Sequence, residues 1–142
     1  MTGRSGPTRR EVPIREYVTK KLIAVAAESS IQEAAKRMVE FDISSVVVAD
    51  GEEVVGFLTD ADLKARVVAA GRNTDGPVSA IMTTDLITAR IDASVEEVME
   101  LMARHRIKHV LVTEGEVITG IMTLRDLVNI ERQKLETFIA RE

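Results

Sequence analysis

Residues 56–63 read Gly-Phe-Leu-Thr-Asp-Ala-Asp-Leu, and residues 120–127 read Gly-Ile-Met-Thr-Leu-Arg-Asp-Leu. Both follow the pattern G-x-x-T-x-x-D-L, and the aspartates of the pattern, Asp62 and Asp126, are separated by 126 − 62 = 64 residues. The same spacing relates the sequence before them without a gap, since a Ser-x-x-Glu segment at residues 30–33 returns at residues 94–97. A fixed period with matched glycine, cap and apolar positions indicates duplication of a whole structural unit.

The composition narrows the classes of protein to which the chain can belong. Of its 142 residues, 45% are hydrophobic and 30% are charged, which is typical of a globular rather than a disordered chain. Only 3% are aromatic, Trp is absent and the net charge is −4, which argues against a general nucleic-acid-binding surface and leaves room only for a local basic patch. The absence of cysteine excludes disulfides and cysteine metal sites, and two histidines are too few for a histidine-only zinc site. No apolar run is long enough to cross a bilayer or resembles a signal peptide, so we expect a cytoplasmic protein with no membrane partner.

Each repeat reads as strand, helix, strand, turn, strand and helix. The first repeat has an apolar run at residues 22–25, a capping box at residues 30–33, a β-branched strand at residues 46–49 and a returning strand at residues 54–58, followed by a helix from Thr59 towards Ala70. Its first helix is predicted to bury one stripe: Ile31, Ala34, Ala35, Met38 and Val39.

The second repeat copies this order. It has strands at residues 86–89, 110–112 and 117–122, a last helix from Leu124, and a middle helix whose predicted inward residues are Val95, Val98, Met99 and Met102. We divide the chain into a flexible tail at 1–13, repeats at 14–70 and 78–132, a turn-rich linker at 71–77 and a C-terminal helical extension at 133–142.

A β-α-β-β-α unit that ends in G-x-x-T-x-x-D and occurs as a tandem pair resembles the cystathionine-β-synthase (CBS) domain family. The match covers residues 15–132. The resemblance implies an α/β (α+β) fold, with two β-α-β-β-α repeats related by a pseudo-twofold axis and two clefts between them. It also implies a Bateman module, which typically binds AMP, ADP, ATP or S-adenosylmethionine and commonly forms homodimers.

The motif residues suit this chemistry on physical grounds. A carboxylate at a helix start, as at Asp62 and Asp126, is favoured by the helix dipole and can accept hydrogen bonds from ribose hydroxyls. Thr59 and Thr123 place a hydroxyl beside backbone N–H groups that suit a phosphate. Thr-x-x-Asp is equally a helix cap that needs no ligand. Both interpretations stay open at this point, and the tandem context favours nucleotide binding.

The two repeats differ in charge near the motif. Arg125, Lys108 and His109 in the second repeat correspond to Ala61, Ser44 and Ser45 in the first, while Asp60 adds a negative charge to the first motif. Arginine and lysine are the usual partners of phosphate, so we expect tighter binding at Asp126. The resemblance implies crossed adenine sites, in which the Asp126 cleft uses backbone near Ile23, Ser44 and Ser45 and the Asp62 cleft uses backbone near Ile87, Lys108 and His109.

No arrangement of nucleophile and base is visible, and His105 and His109 have no third metal ligand, so we expect no enzyme, no required cofactor and no metal site. The favoured interpretation is a stand-alone regulatory module that binds an adenosine nucleotide, forms a homodimer and signals occupancy to a protein partner. The alternatives are an interaction or scaffold module, with an apolar stripe at Leu135, Phe138 and Ile139, and a module that binds S-adenosylmethionine or nucleic acid.

Overall fold

The computed structural model describes residues 12–141, so residues 1–11 of the tail predicted at 1–13 and the final residue of the predicted C-terminal extension lie outside the described chain. The described residues form two compact units. The first unit comprises residues 22–86, and the second comprises residues 12–21 together with residues 87–141. Each unit carries its own three-stranded sheet and its own buried core.

In the first unit the sheet has the order β1-β2-β3, with β1 parallel to β2 and β2 antiparallel to β3. Its strands and helices are β1 (Ala24–Ala26), α1 (Ile31–Phe41), β2 (Ser45–Asp50), β3 (Glu53–Thr59), α2 (Asp60–Leu63), a π-helical turn (Lys64–Val68) and a 3₁₀ turn (Val78–Ala80). The helix predicted from Thr59 towards Ala70 is therefore α-helical only in its first four residues.

In the second unit the sheet has the order β4-β5-β6 with the same pattern of parallel and antiparallel pairing. Its elements are β4 (Thr88–Arg90), α3 (Val95–His105), β5 (His109–Glu114), β6 (Val117–Thr123) and α4 (Leu124–Arg141). The region predicted as a C-terminal extension continues α4 without a break. The predicted order of strand, helix, strand, strand and helix is confirmed in both units.

The register of the two sheets repeats the sequence period. Ser45 pairs with Thr59 and Val48 with Gly56 in the first unit, and the residues 64 positions later pair in the same way in the second. Each sheet also has one bulge at the matching place, after Val48 and after Val112. The duplication is therefore one of backbone geometry as well as of sequence.

The helices begin at the predicted caps. Ser30 Oγ accepts a hydrogen bond from the Glu33 amide at 3.0 Å, and Ser94 forms a complete capping box with Glu97. Both helices end on a residue in the left-handed conformation, Asp42 at φ 54° and Arg106 at φ 55°. The left-handed end satisfies the last carbonyls of the helix and turns the chain into the next strand.

Two residues predicted to face the core are on the surface. Val39 is 82% exposed and Met99 is 48% exposed, whereas Ala34 and Val98 are fully buried. Both exposed residues lie at the edge of the apolar stripe, where helical spacing alone does not determine which side chains another element covers. The first strands also begin two residues later than predicted, at Ala24 and Thr88 instead of residues 22 and 86.

The core of each unit also includes residues from one further short segment of the chain. Val78 and Ile81 are buried with the first sheet, and Ile14 is buried with the second, where its amide donates to the Ala93 carbonyl at 3.1 Å. Ile14 and Val78 are themselves 64 residues apart. The sequence repeats and the compact units thus divide the chain at different points, because residues 14–21, the start of the first repeat, belong to the second unit.

Candidate functional site

The two G-x-x-T-x-x-D motifs occupy the same position in each unit, where the last strand ends and a helix begins. Thr59 ends β3 and caps α2, while Thr123 ends β6 immediately before α4. Their side chains and those of Asp62 and Asp126 are half-buried. The structure therefore brings together the threonine and the aspartate of each predicted site.

In the first motif the threonine and the aspartate cap each other. The Thr59 amide donates to Asp62 Oδ2 at 2.9 Å, and the Asp62 amide donates to Thr59 Oγ1 at 3.2 Å. This reciprocal pair is a capping box, with aspartate in the place usually taken by glutamate. The helix-cap interpretation of the motif is therefore confirmed, and any ligand would use the acceptor capacity that the cap leaves over.

The second motif has the same geometry with one additional bond. The Thr123 amide donates to Asp126 Oδ2 at 2.8 Å, the Thr123 hydroxyl donates to the same oxygen at 3.1 Å, and the Asp126 amide donates to Thr123 Oγ1 at 3.2 Å. Within the part of the chain that the structure describes, Asp126 Oδ1 has no hydrogen-bond or ion-pair partner. An ionised carboxylate has about four lone-pair sites, so Asp126 can still accept hydrogen bonds from a ligand.

The glycines of the motifs lie against other residues of their own unit. A Cβ at Gly120 would lie 2.9 Å from the Thr19 carbonyl oxygen and would also overlap the Val18 side chain. A Cβ at Gly56 would overlap the Met82 side chain. In each unit the segment that packs against the glycine also forms backbone hydrogen bonds with the residue after it. For example, Thr19 N–H donates to Ile121 O at 3.1 Å. The close backbone approach expected of these glycines is thus made by a neighbouring segment of the same unit.

The residues at the start of each central strand lie beside the motif of their own unit. The Asp60 amide donates to the Ser44 carbonyl at 2.9 Å, and the Leu124 amide donates to the Lys108 carbonyl at 2.9 Å. The side chain of Lys108 is exposed, while those of Ser45 and His109 are half-buried. Lys108 is far from Asp126 in sequence, but its backbone carbonyl is bonded to the first residue of α4.

Ile23 and Ile87 lie just before the first strand of each unit. The Ile23 carbonyl accepts from the Val47 amide at 3.0 Å, and the Ile87 carbonyl accepts from the Leu111 amide at 3.1 Å. Both isoleucines are half-buried. Their carbonyls therefore extend the parallel pairing of the sheet by one bond, and their amides have no partner within residues 12–141.

The basic residues of the second repeat are not equivalent. Arg125 is exposed on the first turn of α4 and has no ion-pair partner within the described chain. Arg104, by contrast, forms an ion pair with Glu100 at 3.3 Å on the surface of α3. Arg125 is therefore the arginine best suited to an anionic ligand near the motif.

Arg66 and Thr83 are two residues near the first motif that the sequence analysis missed. Arg66 Nε lies 3.8 Å from Asp62 Oδ1, and the Thr83 hydroxyl lies 3.5 Å from Asp62 Oδ2. The spacing of four residues from Asp62 to Arg66 is a visible signal of an ion pair on a helix. No comparable signal connects Thr83 to the motif, because that contact depends on the fold.

Other kinds of site find no support in residues 12–141. They contain no group of three or more His, Cys, Asp or Glu side chains that could hold a metal ion. None of their helices combines the length and the apolar character that a membrane crossing requires.

Comparison with known proteins agrees with this architecture. The family model of the CBS domain matches residues 14–69 and 78–132. The CBS domain-containing protein YhcV of Bacillus subtilis is 32% identical over 114 residues, which cover 80% of this chain and 81% of YhcV.

Two solved structures are similar over most of the chain. An uncharacterized conserved protein from Pyrococcus horikoshii is 46% identical, with a TM-score of 0.84 over 88% of this chain and 96% of the other. The CBS domain pair of protein MJ0100, solved in complex with 5′-methylthioadenosine and S-adenosyl-L-methionine, is 28% identical, with a TM-score of 0.77 over 87% of this chain and 98% of the other. With both repeats matched by the family model, this chain belongs to the CBS domain family and carries two CBS domains in tandem.

Proposed function

We propose that this CBS pair is a regulatory module that binds an adenosine-containing ligand at the Asp126 motif and signals occupancy to a partner protein. The observation that carries the proposal is the Asp126 carboxylate, which is fixed by Thr123 through Oδ2 and keeps Oδ1 available. A carboxylate held in this way is prepared to accept hydrogen bonds from the hydroxyls of a ribose.

The choice of ligand class rests on chemistry shared with a relative. The MJ0100 pair was solved with two molecules that both contain adenosine. We extend the class to AMP, ADP and ATP because two exposed cations are associated with the second motif: Arg125 lies within it, and the Lys108 carbonyl accepts from the Leu124 amide. The other predicted contacts remain part of the proposal: Ile23, Ser44, Ser45, Thr59, Asp62, Ile87, His109 and Thr123.

A thermal-unfolding panel tests the proposal directly. The protein is melted with AMP, ADP, ATP and S-adenosylmethionine at millimolar concentration, and with GTP as a control that has phosphates but no adenine. A ligand present at about one hundred times its dissociation constant adds about 2.7 kcal/mol to the free energy of unfolding. We expect at least one adenosine compound to raise the melting temperature and GTP to have a smaller effect.

The matched variants are Asp126→Ala and Glu131→Ala, since each removes one carboxylate from α4 and Glu131 lies away from the motif on the exposed part of the helix. Asp126→Ala also removes a helix cap, so the quantity compared is the shift caused by ligand, not the melting temperature itself. We expect Asp126→Ala to abolish most of that shift and Glu131→Ala to preserve it. The absence of a shift with all four adenosine compounds would refute the proposal.

A second function is favoured by the surface of α4. Five large apolar side chains of this helix are exposed: Leu124, Val128, Leu135, Phe138 and Ile139. Apolar residues recurring three and four positions apart form a stripe that normally packs against another element. We propose that this stripe contacts a second copy of the chain, which would make the module a homodimer.

A further inference from the structure

The two motif carboxylates have different surroundings. Asp62 Oδ2 accepts from the Thr59 amide at 2.9 Å and lies 3.5 Å from the Thr83 hydroxyl, while Asp62 Oδ1 faces Arg66 Nε at 3.8 Å. Both oxygens of Asp62 are therefore engaged by the protein itself. Among the described residues, only Thr123 donates hydrogen bonds to the carboxylate of Asp126, and both go to Oδ2.

The difference at Oδ1 accompanies one substitution between the repeats. The position that corresponds to Arg66 under the 64-residue period is Ile130, which is 2% exposed and belongs to the core of the second unit. Arg66 instead lies in the π-helical turn that follows α2, and its side chain is 47% exposed. The second repeat thus has no cation at the place from which Arg66 reaches the first motif.

Arg66 is held in place from its other side. Its Nη1 donates to the Ile81 carbonyl at 2.9 Å and to the Met82 carbonyl at 3.3 Å. An isolated surface ion pair stabilises a fold very little, because the side chains must be ordered and the charges are screened. A guanidinium fixed by two carbonyls has already lost that freedom, so its approach to Asp62 is pre-organised.

We propose that Arg66 is a specificity-determining residue that occupies the Asp62 carboxylate in the ligand's place, so that the chain binds one adenosine ligand, at Asp126. The inference rests on the proposed function for the identity of the ligand. A ribose diol that approached Asp62 would have to displace the guanidinium from Oδ1 and share Oδ2 with Thr59. At Asp126 the same diol finds Oδ1 without a competitor among residues 12–141.

Calorimetric titrations with AMP and with S-adenosyl-L-methionine, each in its own series, measure the number of sites per chain. We expect the wild-type protein to bind one ligand per chain, and Arg66→Ala to bind a second ligand. Arg66→Met keeps the aliphatic part of the side chain and should behave in the same way. Lys64→Ala is the matched control, since it removes a cation from the same π-helical turn and should leave the stoichiometry at one.

A double variant tests which carboxylate binds the ligand in each protein. Asp126→Ala alone should bind no ligand, whereas Asp126→Ala combined with Arg66→Ala should recover one site. If neither Arg66 variant gains a site with either compound, the role assigned to Arg66 is wrong. Two equal sites in the wild-type protein would also overturn it.

The outcome for Arg66 is separable from the outcome for the proposed function. Failure of the wild-type protein to bind either compound would count against ligand binding at Asp126, while the Arg66 variants would still be judged by whether they gain a site. Hydrogen exchange gives a readout without any ligand, because Arg66→Ala removes the two hydrogen bonds that Nη1 donates to the Ile81 and Met82 carbonyls. Relative to the wild-type protein, we expect Arg66→Ala to exchange faster in peptides covering residues 78–83 and at the same rate in the corresponding residues 14–19. The same change in exchange rate in both segments, or no change in either, would contradict the anchoring of Arg66.

Discussion

Thr123 and Asp126 are joined by three hydrogen bonds, two to Asp126 Oδ2 at 2.8 and 3.1 Å and one to Thr123 Oγ1 at 3.2 Å. The pair closes the start of α4 and fixes the carboxylate at the same time. A residue needed for the cap is therefore also the residue proposed to hold the ligand, and mutations in the motif act on both stability and binding.

The first prediction concerns the cap alone. Thr123→Val keeps the β-branched shape of the side chain but removes the hydroxyl, so the Asp126 amide loses its acceptor. We expect the free energy of unfolding to fall by about 1 kcal/mol, the usual cost of losing an N-terminal cap. Urea denaturation of the protein without ligand measures this change.

Thr119→Val is the control for that experiment. Thr119 also lies on β6, but its hydroxyl donates to Glu114 at 2.8 Å in an exposed pair. Its loss should change the free energy of unfolding by no more than about 0.5 kcal/mol. Equal losses in the two variants would show that the cap at Thr123 stabilises the fold no more than an exposed hydrogen bond does.

The second prediction compares the two motif glycines. At Gly120 an added Cβ meets the Thr19 carbonyl and the stiff, β-branched Val18, whereas at Gly56 the three nearest atoms all belong to the flexible side chain of Met82. We expect Gly120→Ala to lower the free energy of unfolding by about 1–3 kcal/mol, the range typical of overpacking. Gly56→Ala should cost less, and denaturation curves that reversed this order would contradict the packing described here.

The repeat and the helix starts were predictable because they depend on local sequence. Ser30 and Ser94 precede glutamates by three residues, and Asp50-Gly51 is a hairpin signal that needs no knowledge of the rest of the chain. The edge of a buried stripe is different, as the exposure of Val39 and Met99 demonstrates. Which residues at such an edge are covered depends on the neighbouring elements, and those are set by the tertiary fold.

The candidate site, too, was predictable only where it depends on local sequence. The motif and its dual interpretation as cap and binding site could be predicted from four spaced residues, and the spacing of Asp62 and Arg66 was available as a signal. The contacts of Arg66 with the Ile81 and Met82 carbonyls join positions 15 and 16 residues apart in sequence. Such contacts follow no local rule, since they require the segment after the linker to lie beside the π-helical turn.

The third prediction concerns the homodimer. Leu135, Phe138 and Ile139 are each about 60% exposed on α4, and their burial by a second copy would remove apolar surface from water. We expect light scattering at micromolar concentration to give twice the chain mass of 15.6 kDa. Leu135→Glu combined with Phe138→Glu should give the mass of one chain.

The matched control for the dimer is Val117→Glu, which places a carboxylate on another exposed apolar residue that lies outside α4. This variant should retain the dimer mass. A wild-type protein that scatters as a single chain would refute the homodimer, and a dimer that survives the double substitution would place the interface elsewhere.

The last prediction separates the phosphate from the ribose. Arg125 is exposed beside the second motif, and its guanidinium suits phosphate oxygens, while Asp126 suits the ribose hydroxyls. We expect Arg125→Ala to weaken AMP far more than adenosine, which carries no phosphate, and Asp126→Ala to weaken both. Calorimetry with AMP and adenosine at low and high salt measures these effects, and the wild-type affinity for AMP should fall as salt screens the exposed charge pair.

Arg104→Ala is the control for this last prediction. Arg104 is paired with Glu100 on α3, so its replacement should leave both affinities unchanged. An equal loss of AMP and adenosine binding in Arg125→Ala would show that Arg125 does not act on the phosphate.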